Sequence, residues 1–288
     1  MNPNIFPCLW FNGDGVEAAY FYTAIFGGTI TVDTPFVLNI ELLGQKLMLL
    51  NGGPQFQKNS SISLNVLFNN REEYLKIENE LKKDGTILKE SIENESALNI
   101  WVCDKFGLTW QLTLLKEDLP NQRIRPSFMF FNQNYGKARH AIDFYTSIFP
   151  NSGIDDVLNF EEESSENEIA ARTKQACFRI DNYTLECSDS SENYPFTFSE
   201  AISMVVLTDN QEETDSYWNG LCSGGGQESR CGWLKDPYGI SWQIVPKVLI
   251  ELMNDVKNPE KAQRVMMALS SMTKIVIKDL ENAYHAES

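Results

Sequence analysis

The stretch WVCDKFGLTWQL, Trp101 to Leu112, recurs almost intact as WLKDPYGISWQI, Trp233 to Ile244. Both stretches carry Trp-x-x-Asp-x-x-Gly-x-x-Trp-Gln at identical spacing. Self-similarity of this kind is the sequence signature of a repeated structural unit. The chain is therefore predicted to contain two copies of one domain.

The repeat extends to the beginning of each copy. PCLWFNGDGVEAAYFYTAIFGG begins at Pro7, and PSFMFFNQNYGKARHAIDFYTSIFPNS begins at Pro126. Each reads as an apolar strand, Phe-Asn, a loop, and a helix containing Ala-x-x-Phe-Tyr-Thr-x-Ile-Phe. These limits predict one domain over residues 1–118, a second over 124–248, and a helical tail over 249–288.

The first loop also raises the question of a nucleotide site. Gly13-x-Gly15-x-x-Ala18 fits the dinucleotide fingerprint, and Asp33 lies at about the distance of a ribose-binding acid. The second copy keeps the strand and the helix without the two glycines. Asp33 lies among β-forming residues, and no βαβ pattern of the length that a Rossmann sheet requires follows it. The glycines are therefore predicted to form a local turn.

The hydrophobic pattern within one copy indicates two βαβββ modules. In the first copy, alternating or short apolar runs predict strands, and i, i+3, i+4 patterns predict helices. The same order recurs in the second copy, so the chain is predicted to contain four modules. The main elements of the first copy are strands 7–12, 29–33, 36–42, 46–50, 62–68, 98–102 and 108–114, with helices 16–26 and 70–83.

Composition narrows the class of partner. Apolar residues make up 42% of the 288 residues, and the formal net charge is −16. A surface this acidic repels phosphate backbones and anionic lipids, which argues against nucleic acid and membranes as partners. No apolar run reaches the about 18 residues of a membrane helix. The start of the chain has no signal-peptide pattern, and the six cysteines form no C-x-x-C pair, which predicts reduced thiols in the cytoplasm.

Three features of the chain carry a resemblance to a known family: the paired βαβββ modules, the stretch FNGDGVEAAYFYTAIFG and the motif D-x-F/Y-G-x-x-W-Q. With these features the chain resembles the vicinal oxygen chelate superfamily, which includes glyoxalases, bleomycin-resistance proteins and extradiol dioxygenases. Within it, the chain resembles the PhnB-like or 3-demethylubiquinone-9 3-methyltransferase-like group. The resemblance implies an α+β fold of tandem glyoxalase-like domains with a C-terminal helical tail. Each domain would fold two βαβββ modules into a cupped half-barrel sheet around a small-molecule cavity. The resemblance also implies a homodimer.

The superfamily commonly binds a divalent metal in that cup through His and Glu. The positions of the usual His align with Val37 and Gln175, and those of the carboxylate align with Gln111 and Gln243. Amides are weak ligands and valine is none. The two histidines of the chain are predicted to lie on the surface of a helix and of the tail, at His140 and His285. The sequence therefore predicts no usual metal site and no cofactor.

Three kinds of side chain are predicted to line the cups and to bind a small organic molecule. They are asparagines that end the first strands, indoles of the penultimate strands, and amides of the inner strands: Asn12, Asn132, Trp101, Trp233, Gln111, Gln243 and Gln175. The alternatives are that the asparagines only cap loops and that the indoles belong to the core. Because the second copy keeps amides at both ligand positions, the site is predicted near Trp233, Gln175 and Gln243, with Asn132 at its rim.

Two classes of function remain open from the sequence. One is a binder of a small molecule without a metal. The other is a metal-dependent enzyme of the lyase, isomerase or dioxygenase type that holds its metal with unexpected ligands. Methyl transfer is disfavoured because S-adenosylmethionine normally needs a nucleotide-binding fold. Asp104 and Asp236 are predicted to be turn residues, and Cys231 is predicted to be an inert thiol.

Overall fold

The computed structural model describes residues 4–93, 97–160 and 172–286. Within them the chain forms four βαβββ modules and three further helices. The first module is β1 (Ile5–Phe11), α1 (Gly15–Phe26), β2 (Gly28–Asp33), β3 (Val37–Leu42) and β4 (Gln45–Asn51). The second is β5 (Ile62–Phe68), α2 (Arg71–Lys82), β6 (Thr86–Glu93), β7 (Ala97–Cys103) and β8 (Thr109–Leu115).

The third and fourth modules repeat this order. The third is β9 (Ile124–Phe130), α3 (Ala138–Ile148), β10 (Gly153–Asn159), β11 (Thr173–Ile180) and β12 (Tyr183–Asp189). The fourth is β13 (Ile202–Thr208), α4 (Gln211–Cys222), β14 (Gln227–Glu228), β15 (Trp233–Lys235) and β16 (Ser241–Pro246). The tail adds α5 (Lys247–Met253), α6 (Pro259–Ser271) and α7 (Ile277–His285). The predicted α+β class and helical tail are confirmed.

The strands form two eight-stranded sheets. The first sheet has the order β14-β15-β16-β13-β1-β4-β3-β2, and the second has the order β10-β11-β12-β9-β5-β8-β7-β6. Each sheet therefore contains one module from each sequence repeat. The expectation that both modules of one repeat share a sheet is not met.

The reason lies in the pairing of the second and third modules. Strand β9 pairs antiparallel with β5, with Asn65 opposite Arg125. The short connection from β8 to β9 is held by Gln122, whose side chain accepts from Thr184 N at 2.8 Å and donates to Thr184 O at 2.7 Å. The hydrophobic periodicity of the sequence specifies the strands and the helix of each module. These contacts between modules decide which two modules share a sheet.

Contacts divide the chain into two units. One contains Pro7–Ile202, and the other joins Asn4–Phe6 to Ser203 and the residues that follow. In the second unit, Leu207 N donates to Asn4 O at 2.8 Å. The tail packs around a buried cluster of Leu249, Val265, Ile275 and Leu280. In the described part of the chain, no helix is both long and apolar enough to span a membrane.

Each helix of a module covers one face of its strands. In the second module, Tyr74, Ile77 and Leu81 of α2 are fully buried. Ile100 and Val102 on β7 are buried as well, whereas Trp101 between them is half-buried. Because alternate side chains of a strand point to opposite faces, Trp101 lies on the face away from the apolar core of the module.

The Gly-rich loop between β1 and α1 is a local turn, as predicted. Gly13 has a φ of +92°, which favours glycine. Gly15 begins α1 and donates its N–H to Asn51 Oδ1 at 2.9 Å. A Cβ on Gly15 would lie 2.6 Å from that oxygen. The two glycines thus allow the side chain of the neighbouring strand to cap the helix.

Candidate functional site

The repeated Trp-x-x-Asp-x-x-Gly-x-x-Trp-Gln motif is built around its aspartate. Asp104 Oδ1 accepts from the N–H groups of Phe106 and Leu108 at 2.8 and 3.0 Å, which closes the turn. Its Oδ2 accepts from Trp110 Nε1 at 2.8 Å and from Tyr22 Oη at 2.7 Å. The prediction of a turn residue is confirmed, and the aspartate fixes the core rather than a ligand.

The second copy of the motif has the same geometry. Asp236 Oδ1 accepts from the N–H groups of Tyr238 and Ile240 at 2.9 and 3.0 Å, and its Oδ2 accepts from Trp242 Nε1 at 2.9 Å. Trp110 and Trp242 are fully buried. The aspartates therefore bind inward-facing indoles, and the glutamines that follow those indoles point to the opposite face.

A polar network occupies that opposite face of the second sheet. Asn65 on β5 is its centre: Nδ2 donates to Glu186 Oε2 at 2.8 Å, and Oδ1 accepts from Thr113 Oγ1 at 2.8 Å. Asn99 Nδ2 donates to Thr113 Oγ1 at 2.7 Å. We call Asn65, Thr113, Arg125 and Glu186 the polar network. Asn65, Thr113 and Glu186 are all buried.

Arg125 and Glu186 form the charged part of the polar network. Arg125 Nη1 donates to Glu186 Oε1 at 3.2 Å and to Cys177 Sγ at 3.6 Å. The side chains of Arg125 and Glu186 are 18% and 6% exposed. Burial raises the pKa of Glu186, and the hydrogen bond from Asn65 and the charge of Arg125 act in the opposite direction. Burial also raises the pKa of Cys177, to about 11, which keeps it a thiol.

Four residues on this face lie in register across four strands. Trp101 on β7 is opposite Gln111 on β8, Gln111 is opposite Asn65 on β5, and Asn65 is opposite Arg125 on β9. Opposed residues of paired strands share a face, so we call these four the row. With strands about 4.8 Å apart, the row extends about 14 Å from the indole to the guanidinium. It places an aromatic face, two amides and a cation on one surface.

The first sheet lacks these groups. Alignment of the repeats places apolar residues at the positions of Asn65, Thr113, Arg125 and Glu186, namely Val205, Val245, Phe6 and Met48. Register supports this alignment, since Met48 is opposite Cys8 as Glu186 is opposite Ser127. Both sheets share a glutamine that donates to a serine: Gln111 Nε2 to Ser63 Oγ at 2.7 Å, and Gln243 Nε2 to Ser203 Oγ at 2.9 Å.

The predicted site residues are distributed over both sheets. Trp101 and Gln111 belong to the row, and Gln175 is exposed on β11 in the same sheet. Trp233 and Gln243 are opposite each other in the first sheet. The expected grouping of Gln175 with Trp233 and Gln243 in one cup is therefore wrong. The physical reason is that the two modules of the second repeat belong to different sheets.

The two asparagines have separate roles. Asn132 Nδ2 donates to Tyr194 O at 2.8 Å and its Oδ1 accepts from Tyr194 N at 3.1 Å, so its amide holds the loop after β12. Asn12 is exposed, and its N–H donates to Asp14 Oδ1 at 3.2 Å. The Asn132 amide thus binds a loop that is distant in sequence rather than the loop or helix that follows it, and the contact of Asn12 is made by its backbone.

Arg125, Glu186 and Asn65 were missed by the sequence analysis. A signal existed in TLECSD, where Glu186 stands between the buried residues Leu185 and Cys187. A charge at such a position indicates a specific partner. Alignment of the two repeats places Glu186 at the position of the apolar Met48, and this difference is visible in the sequence.

The described residues do not fit the divalent metal that is common in the superfamily. They contain no group of three or more His, Cys, Asp or Glu side chains placed to hold a metal ion. The Glu186 carboxylate already accepts from Arg125 and Asn65, and a guanidinium at 3.2 Å would repel a cation. Both His140 and His285 are exposed, as predicted.

Comparison with known proteins places these features in a family. The chain matches the family described as 3-demethylubiquinone-9 3-methyltransferase over residues 3–113 and 122–245. It is 32% identical to the PhnB protein from Bacillus cereus, over 43% of this chain and 99% of that one, with a TM-score of 0.38.

A second comparison concerns the fold alone. Glyoxalase I from Zea mays has a TM-score of 0.55 to this chain at 16% identity, over 86% of this chain and 92% of that one. No curated protein matches the sequence. The chain thus shares the two-sheet architecture of a glyoxalase I.

Proposed function

This chain belongs to the 3-demethylubiquinone-9 3-methyltransferase family, and we propose that it binds a small organic molecule on the row without the divalent metal common in the vicinal oxygen chelate superfamily. The observation that carries the proposal is the buried polar network around Arg125 and Glu186. Burying charged and amide groups costs free energy unless they are paired. The first sheet has apolar residues at the same positions, so the fold itself does not require these groups.

The row has the composition of a ligand surface. Trp101 is half-buried and Arg125 is 18% exposed, so both ends of the row reach accessible surface. Aromatic faces supply contact area, and fixed polar groups orient a ligand. Glu186 and Asn65 bond each other and thereby hold the polar end of the row in one geometry.

The alternative activities have weaker support. Methyl transfer would need a site for S-adenosylmethionine, and Gly13 and Gly15 serve a turn whose helix is capped by Asn51. Metal-dependent lyase, isomerase or dioxygenase chemistry would need ligands, and Glu186 is already paired. We therefore place small-molecule binding first and metal-dependent catalysis second.

Other predictions from the sequence stay predictions. The six free thiols support a cytoplasmic location. Three further predictions rest on the resemblance and the repeats. They are a homodimer, a function like that of bleomycin-resistance proteins, and separate domains over the ranges 1–118, 124–248 and 249–288.

A ligand screen with two matched tryptophan variants tests the proposal. Thermal shift against a library of small organic molecules identifies ligands, which are then compared in wild type, Trp101→Phe and Trp233→Phe. We expect affinity to fall about two- to tenfold in Trp101→Phe, since an aromatic contact contributes about 0.5–1.5 kcal/mol beyond the area that it buries, and to stay unchanged in Trp233→Phe. Loss in Trp233→Phe alone would support the site first predicted from the sequence. Absence of any ligand would remove the proposal.

A further inference from the structure

One edge of the Arg125 guanidinium has no protein partner. Its Nε is buried and makes no hydrogen bond within the described part of the chain. Three other arginines donate through Nε to an oxygen atom. Arg123 donates to Leu67 O at 3.1 Å, Arg179 donates to Asp155 Oδ1 at 2.8 Å, and Arg264 donates to Ala283 O at 2.9 Å. A buried donor without a partner destabilises the fold unless a ligand completes its hydrogen bond.

The hydrogen bonds of Nη1, on the opposite edge of the Arg125 guanidinium, fix the direction in which the Nε edge points. Both contacts of the Arg125 guanidinium, to Glu186 and to Cys177, are made by Nη1. The planar guanidinium presents Nε–H and Nη2–H together as a fork that matches the two oxygens of a carboxylate. Glu186 therefore orients Arg125 without occupying this fork.

We propose, on the basis of the proposed function, that the ligand of the row carries a carboxylate and that Arg125 binds it through Nε–H and Nη2–H. In this chain the guanidinium takes the part of the fixed positive charge that a metal ion supplies elsewhere in the superfamily. The remainder of the ligand lies along Asn65 and Gln111 towards Trp101.

The charges favour a carboxylate over a phosphate. Arg125 is the cation of the polar network and already pairs with Glu186, so each negative charge on the ligand adds to the net negative charge of the site. A phosphate monoester carries about two negative charges at neutral pH, and the chain as a whole carries −16. A planar monoanion fits the shape of the fork and adds the smallest negative charge that an anionic ligand can carry.

The test uses the Arg Nε–H signals in ¹H–¹⁵N spectra of the full chain. The probes are benzoate, trans-cinnamate and phenylpyruvate, each with its neutral amide, together with phenyl phosphate. We expect at least one carboxylate to shift the Arg125 Nε–H signal and leave that of Arg123 in place. Its amide and phenyl phosphate should bind at least tenfold more weakly. The Arg123 signal is a matched control because its Nε already has a partner.

Two variants complete the test. Arg125→Lys keeps the charge without the fork and should lose carboxylate affinity by at least tenfold, with its backbone amide spectrum showing an intact fold. Glu186→Gln removes the competing carboxylate and should bind the same probe at least as tightly as wild type.

The outcomes separate this inference from the proposed function. If library ligands depend on Trp101 but are neutral and leave the Arg125 signal unchanged, the proposed function stands and the carboxylate inference is wrong. If none of the three carboxylates shifts the signal, the inference is also wrong. If phenyl phosphate binds as tightly as the carboxylates, the site is a general anion site, and the inferred class of ligand is wrong.

Discussion

Asp104 accepts a hydrogen bond from the indole Nε1 of Trp110 at 2.8 Å, six residues further along the chain. The same carboxylate closes the intervening turn through Phe106 and Leu108 and binds the hydroxyl of Tyr22 on α1. One buried side chain thus joins a turn, a core indole and a helix. This explains why the aspartate recurs in both repeats without a role in ligand binding.

We expect Asp104→Ala to lower the free energy of unfolding by about 3 kcal/mol or more, because it leaves several buried donors without an acceptor. Tyr22→Phe removes one donor and should cost about 1 kcal/mol. Urea unfolding followed by tryptophan fluorescence measures both. Equal effects of the two variants would show that the carboxylate does not organise the turn.

The ion pair of Arg125 and Glu186 can be replaced by the apolar residues that occupy the same positions in the first sheet. Arg125→Met alone leaves the buried Glu186 carboxylate without its cation, which should destabilise the protein by about 3–5 kcal/mol. Arg125→Phe with Glu186→Met copies Phe6 and Met48 of the first sheet, and this double variant should recover most of the lost stability, short of about 1–3 kcal/mol because Asn65 Nδ2 loses its acceptor. Thermal unfolding of the three proteins decides the matter. A double variant less stable than Arg125→Met would mean that the ion pair is required for folding.

Stability should depend on pH through Glu186. Burial raises its pKa in the folded state, so the protonated form favours folding, and this contribution is lost as pH rises from about 4.3 through the folded pKa. Glu186→Gln should therefore gain stability relative to wild type as pH rises through this window. The groups that face Glu186 are Arg125 on β9, Cys177 on β11 and Asn65 on β5.

The measurement is the melting temperature of wild type and Glu186→Gln from acid to neutral pH. Glu192→Gln, at an exposed position of the loop after β12, is a control for a change of one surface charge. A difference between wild type and Glu186→Gln that is independent of pH would contradict the assignment.

Chelation should leave the protein unchanged. A divalent metal at 100 times its Kd would stabilise the folded state by about 2.7 kcal/mol. We expect neither EDTA nor added Zn²⁺, Ni²⁺ or Mn²⁺ to shift the melting temperature by an amount of this size. A stoichiometric metal that survives dialysis and disappears in Gln111→Ala or Gln243→Ala would restore the metal-dependent alternative.

Gly15→Ala should lower stability, because its Cβ would lie 2.6 Å from Asn51 Oδ1 and separate the cap from the helix. Gly153→Ala is the matched control, since its Cβ would meet only Arg179 Nη2 at 3.6 Å. Unfolding by urea compares the two variants. A Gly15→Ala protein as stable as the control would show that the loop can relax, and the turn would then not explain the glycine.

The sequence predicted the modules because their determinants are local. Periodicity and the repeated Asp104 and Asp236 turns are properties of short segments. Sheet partners depend on contacts between distant segments, such as Asn65 with Arg125, and no periodicity within a module reports them. For that reason the predicted site contains Trp101 and Gln111 without Arg125 and Glu186, and it joins Gln175 to residues of another sheet.

The two sheets differ in how their strands follow one another along the chain. The second sheet uses the continuous stretch from β5 to β12, whereas the first needs β1 and β13 together. At about 5–20 residues per second, the ribosome makes the intervening roughly 200 residues in about 10–40 seconds. Throughout this time the edge of β1 that will pair with β13 is an open template for other nascent chains. Synthesis therefore exposes the first sheet to misassembly for longer than the sheet that carries the row.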